Sequence, residues 1–211
     1  MRDDQRAALR RYLVTDARAG SVERLIAICA AALDGGITTV QLRAKGWTDR
    51  QLLDAAAALR PICRDAGALL IVNDRVDIAL ASGADGVHLG VDDLPVAAAR
   101  HSLGPDALIG NSPETDADRQ QAERDGAGYL GIGPVYGTTT KGDAGAAIGV
   151  EGIRRAVAAT TLPVVGIGGI DVETATAVIE AGAAGVAVVG AVFLASDPRD
   201  AAARLARAVV G

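Results

Sequence analysis

The chain has 211 residues, half of them hydrophobic, and carries a formal charge of −5 at neutral pH. That length and apolar content exclude a disordered segment and fit one globular domain over residues 1–211, able to bury roughly 70% of the surface its unfolded chain exposes. A pI near 5.0 and only five aromatic residues exclude a general basic field for polyanions and stacking platforms for single-stranded nucleic acid, so an anionic ligand has to be met by a local site.

In chain order, short β-rich runs fall at 12–15, 38–43, 68–72, 86–89, 107–110, 129–133, 163–167 and 186–189. Between and after them, runs with helical apolar period fall at 22–33, 49–66, 76–82, 96–103, 116–125, 149–159, 172–181 and 199–209. Ser21, Thr48 and Asp171 supply start signals, and Gly35, Gly67, Gly83, Gly104, Gly126 and Gly182 supply stops. Apolar strands that alternate with helices pair in parallel, because each crossover helix has to cover a sheet face. Eight such units, with no composition break and no GxGxxG after the first strand, predict an α/β fold, a single (β/α)8 TIM barrel. An open doubly wound sheet is the competitor that the same alternation permits. With so few aromatics, the core is expected to be aliphatic, and Cys29 and Cys63 to be small buried hydrophobes of a reduced cytoplasmic protein. The charged N-terminal run has no apolar stretch behind it and no apolar run reaches membrane-spanning length, so neither a signal peptide nor a membrane partner is expected.

A barrel of this kind collects its chemistry at the carboxyl ends of its strands. After the second strand, Gln41, Arg43 and Lys45 alternate onto one face, which suits an anion clamp, although alternating charge is also ordinary where a strand emerges into solvent. Asn73 and Asp74 follow the third strand, and Asp92 and Asp93 follow the fourth. Each acidic group alone could be a helix cap. Together, Asp74 and Asp93 leave adjacent parallel strands at one end, beside two cations, and suggest a Mg²⁺ and phosphate site. Ser112 follows the fifth strand as a small hydroxyl donor. A long polar loop after the sixth, with Thr138, Thr139, Thr140 and Lys141 among glycines, fits a phosphate-gripping lid. Gly168 and Gly169 after the seventh strand, with Val189 and Gly190 after the eighth, let backbone N–H groups approach a phosphate. His101 reads as a surface residue and His88 as a satisfied buried group, and no Ser/His/Asp constellation is evident.

These motifs, from Tyr12-Leu-Val-Thr-Asp16 and Val40-Gln-Leu-Arg-Ala-Lys45 through Asn73-Asp-Arg-Val-Asp-Ile-Ala-Leu80, Gly86-Val-His-Leu-Gly90, Gly131-Ile-Gly-Pro-Val135 and Thr138-Thr-Thr-Lys141 to Ile167-Gly-Gly-Ile170, resemble the thiamine phosphate synthase family in content and order. The resemblance runs from about Tyr12 to Phe193. It implies a transferase that joins a hydroxymethylpyrimidine diphosphate to a thiazole phosphate with release of pyrophosphate. Gln41, Arg43, Lys45 and Asn73 would then hold the pyrimidine diphosphate, Asp74 and Asp93 would carry Mg²⁺, and Ser112 and Lys141 would contact the pyrimidine or its leaving group. Thr138, Thr140, Gly169, Val189 and Gly190 would receive the thiazole phosphate, with Thr139 beside them. Of these, Lys141, Arg43 and Lys45 would carry the catalytic charge. The chain departs from the family's usual pattern at Val91 (glutamine), Gly137 (proline) and Gly190 (serine). Rival readings are a thiazole tautomerase-like barrel, disfavoured because Asn111-Ser-Pro-Glu114 offers no histidine, a non-catalytic sensor of thiazole phosphate, and a generic phosphate isomerase. The expected partners are small molecules, and a homo-oligomer is compatible with the sequence.

Overall fold

The computed structural model describes residues 3–137 and 145–209. It opens with α1 (Asp3–Ala8), β1 (Arg11–Val14), a single 3₁₀ turn (Ala17–Ala19) and α2 (Val22–Asp34). There follow β2 (Thr39–Leu42), α3 (Asp49–Asp65), β3 (Leu69–Asn73), α4 (Val76–Ser82), β4 (Gly86–Leu89), α5 (Val96–Leu103), β5 (Leu108–Asn111) and α6 (Asp116–Arg124). The chain continues through β6 (Tyr129–Ile132), α7 (Gly149–Ala158), β7 (Val164–Ile167), α8 (Val172–Glu180), β8 (Gly185–Val188), α9 (Gly190–Phe193) and α10 (Pro198–Ala208). The strands form a closed parallel barrel in chain order, with β8 returning to β1, so the open-sheet alternative is excluded.

Local chemistry accounts for the helix ends. Ser21 accepts the Arg24 N–H, and Thr48 with Gln51 and Asp171 with Thr174 form reciprocal capping boxes. Two elements lie outside the expected set. α1 and α9 have six and four residues, too few turns for an apolar period to register in sequence.

The period of two along each strand divides the core into two layers. Outward strand residues such as Leu13, Val40, Leu70, Val87, Ile109 and Val186 pack against Leu25, Ala55, Leu59, Ala99, Val178 and Leu205 of the helices. Each fully buried aliphatic side chain of this size contributes about 1.5–3 kcal/mol, and this layer is aliphatic as expected. The inner layer is different. Tyr12 and Tyr129 stand inside the barrel with Leu9, Val14, Ile71, Leu108, Val165 and Ala187, and Phe193 is buried outside it. The expectation of a wholly aliphatic core is therefore corrected. An eight-stranded barrel is wide enough to need large side chains opposite small ones, and Gly110 leaves the space that the Tyr129 ring takes.

Cys29 and Cys63 are buried free thiols, as expected, and burial pushes Cys63 up to about 12. Among the described residues, no helix is long and apolar enough to cross a membrane.

Candidate active site

A cavity of about 860 Å³ opens at the carboxyl ends of the strands. Gln41, Arg43, Lys45, Asn73, Asp74, Asp93, Ser112, Gly169, Val189 and Gly190 all line it. Residues far apart in sequence meet there because parallel strands all end on the same side. Gln41 sits inside β2, but that strand ends at Leu42, so Arg43 and Lys45 reach the cavity from the chain beyond it. Thr15 holds that exit: its Oγ1 accepts from Arg43 N and donates to Arg43 O, both at 2.9 Å. Both cations line the cavity, with Arg43 partly buried and Lys45 exposed at its rim.

The capping explanation of the acidic residues fails. α4 begins after Arg75 and α5 after Pro95, and neither helix has a side-chain cap. Asp74 instead occupies the left-handed region at φ 63°, the one described non-glycine residue to do so, while its N–H donates to His88 O at 2.8 Å. Such a backbone persists only where surrounding structure imposes it, and these positions cluster at functional sites. Asp93 Oδ2 accepts the Gly90 N–H at 2.7 Å, which aims its carboxyl across β4. The Asp93 carboxyl is the acidic neighbour that acts on Asp74. Burial first, then hydrogen bonding and like charge from Asp93, push Asp74 up to about 6, with Lys45 and Arg43 opposing the rise. Two hard oxygen donors forced together beside cations fit Mg²⁺, which takes one or two carboxylates and fills its other positions with water and phosphate. Among the described residues no group of three or more His, Cys, Asp or Glu is gathered for a metal.

Below the carboxylates lies a polar layer that the sequence did not reveal as a unit. Gln41 Nε2 donates to Tyr12 Oη at 3.0 Å, Tyr12 Oη lies 2.7 Å from Tyr129 Oη, and Tyr129 Oη lies 3.0 Å from His88 Nδ1. His88 Nε2 in turn lies 2.8 Å from Ser112 Oγ. His88 is thus satisfied at both ring nitrogens, as expected, but only partly buried, and desolvation pushes it down to about 4, so it is neutral at physiological pH. The signal available in sequence was polar residues at inward strand positions, which become informative only once the barrel's register is known.

On the far side, Gly168 and Gly169 have φ of 96° and 66°, and a Cβ at Gly169 would strike the backbone of Tyr136, so the turn after β7 needs glycine. The short α9 starts at Gly190, which lines the same cavity with Val189 and Ala191. Glu114 also lines the cavity without an expected role, and Asp171, expected as a helix start, lines it while capping α8. The expected roles of Thr138, Thr139, Thr140 and Lys141 fall outside the described residues.

Comparison with known proteins agrees with this geometry. Residues 11–192 match the sequence profile described as thiamine monophosphate synthase. The chain is 48% identical over 198 residues to the thiamine-phosphate synthase of Moorella thermoacetica, covering 94% of each, and 51% identical over 188 residues to that of Laribacter hongkongensis, covering 89% of each. A solved thiamine phosphate pyrophosphorylase from Pyrococcus furiosus superposes with a TM-score of 0.87 at 38% identity, covering 97% of both chains.

Proposed function

The chain belongs to the thiamine monophosphate synthase family, a family of transferases, and from that premise we propose how its cavity joins two substrates. The substrates are 4-amino-2-methyl-5-(diphosphooxymethyl)pyrimidine and a thiazole phosphate, 4-methyl-5-(2-phosphooxyethyl)thiazole or its carboxylated form. The products are thiamine phosphate and pyrophosphate, with carbon dioxide released as well when the carboxylated form is used. The observation that carries this reading is the meeting of the Asp74–Asp93 pair with Arg43 and Lys45 in one cavity, a layout suited to a diphosphate and a divalent cation.

Arg43 and Lys45 bind and orient the diphosphate, and their charge stabilises it as the carbon–oxygen bond lengthens. Asn73 donates to the same group, while Gln41 and Ser112 hold the pyrimidine ring over the polar layer. Asp74 and Asp93, which line the cavity, would hold Mg²⁺, and when bound it would supply further positive charge to the departing pyrophosphate. The ring amine stabilises the pyrimidinylmethyl cation left behind, and the thiazole nitrogen attacks it. Gly169, Val189 and Gly190 fix the thiazole phosphate, and so the nucleophile, through backbone N–H groups. Lys141 and the threonines Thr138, Thr139 and Thr140 keep the roles that family resemblance gives them. Neutral His88 needs no part as a base, since the attacking nitrogen carries no proton to remove.

The test is pyrophosphate release by the purified protein. Release should require both substrates and Mg²⁺. Absence of release with all three present, or equal release without the thiazole phosphate, would overturn the coupling reaction.

A further inference from the structure

Four strands and the end of a fifth contribute one side chain each to a continuous chain of hydrogen bonds: Gln41 from β2, Tyr12 from β1, Tyr129 from β6, His88 from β4, and Ser112 just past β5. All five residues line the cavity, and the two phenols between the ends are almost fully buried. The chain is built into the barrel, because space is reserved for it. A Cβ at Gly110 would collide with the Tyr129 phenol and His88 Nδ1, and one at Gly131 would lie 3.0 Å from both His88 Cε1 and Ser112 Oγ.

Its proton order follows from counting donors, since each hydroxyl donates once. Tyr12 Oη accepts from Gln41 Nε2, so its own proton goes to Tyr129 Oη. Tyr129 then gives its proton to His88 Nδ1, which places the imidazole proton on Nε2, donating to Ser112 Oγ. Three groups remain for a ligand: the Ser112 hydroxyl proton, Gln41 Oε1 and the second Gln41 Nε2 proton. We infer that Tyr12, Tyr129 and His88 are positioning residues that set Ser112 as a donor and Gln41 as an acceptor, a pattern complementary to a ring nitrogen and an exocyclic amine of one aminopyrimidine. The ligand half of this inference rests on the function proposed above, and the proton order does not. Reversal of every link would require the Gln41 amide to turn over, and it would present the opposite pattern to the cavity.

The sequence has two histidines, so nitrogen-15 spectra of the uniformly labelled protein are simple, and a His101→Gln variant assigns them. At neutral pH without substrate, His88 should show the Nε2–H tautomer. The Nδ1–H tautomer would overturn the proton order. Tyr129→Phe removes the Nδ1 partner at nearly constant volume. It should mix the tautomers and raise KM for the pyrimidine diphosphate by about tenfold, the value of one well-placed hydrogen bond, with KM for the thiazole phosphate unchanged. An equal rise in both KM values, or no rise, would overturn the positioning role. Tyr12→Phe breaks the chain one link away and carries the same KM expectation if Tyr129→Phe does not fold. A wild-type protein with the Nε2–H tautomer but no pyrophosphate release would uphold the proton order and overturn the ligand assignment.

Discussion

Replacing Asp74 by Asn should make the metal-free protein more stable and the enzyme worse. The carboxyl of Asp74 is half-buried against Asp93, and its folded value of about 6 lies above its ordinary 3.8. A carboxyl raised on folding costs stability once it ionises. The penalty is absent below about pH 4, grows between pH 4 and 6, and is complete above pH 6. At face value the rise corresponds to about 3 kcal/mol, and water reaching a half-exposed group screens this to about 1.5 kcal/mol. Asparagine does not ionise, tolerates the left-handed backbone at φ 63°, and can still donate to Asp93. Without Mg²⁺, at about pH 7.5, Asp74→Asn should therefore melt roughly 3–6 °C above wild type, and the gap should close toward pH 4. Pyrophosphate release at limiting Mg²⁺ should fall by at least about tenfold to a hundredfold, as expected when a metal site loses support. Thermal melts across this pH range and a Mg²⁺ titration of the rate check both halves. A variant that melts at or below wild type at pH 7.5 would refute the electrostatic strain, and an unchanged Mg²⁺ demand would refute the metal role.

Gly110→Ala should lose about 1–3 kcal/mol of stability or more, because the added methyl overlaps the Tyr129 ring and neighbouring strands resist displacement; denaturant unfolding measures it. Lys45 is exposed at the cavity rim, so Lys45→Ala should leave stability within about 0.5 kcal/mol while raising KM for the pyrimidine diphosphate, an effect to be read by steady-state kinetics at two salt concentrations. The Cys29→Ala, Cys63→Ala double variant should retain wild-type turnover and lose about 1–2 kcal/mol of stability, since both thiols are buried outside the barrel; a folded but inactive protein would contradict this.

Much of this protein was written locally. The β/α alternation, the capping residues Ser21, Thr48 and Asp171, and the glycine stops act over a few residues, so the order of elements and the parallel barrel were legible in one dimension. The polar residues at strand ends were legible for a related reason: once strands are parallel, their carboxyl ends must gather, and Gln41, Arg43, Asp74, Asp93 and Ser112 do line one cavity. Short α1 and α9 carry too few turns to show a period. What Asp74 does was ambiguous in sequence, because capping and metal binding use the same carboxylate; the absence of a side-chain cap on α4 removes the capping reading. The inner layer could not be read at all without the fold. Tyr12 and Tyr129 are 117 residues apart, and their contact depends on barrel closure and register, in which a slip of one residue would turn both phenols outward. Sequence alone determined which chemistry the chain carries and at which end of its strands. Tertiary structure decided which of those groups touch, because that depends on distances across the barrel that no local interaction sets.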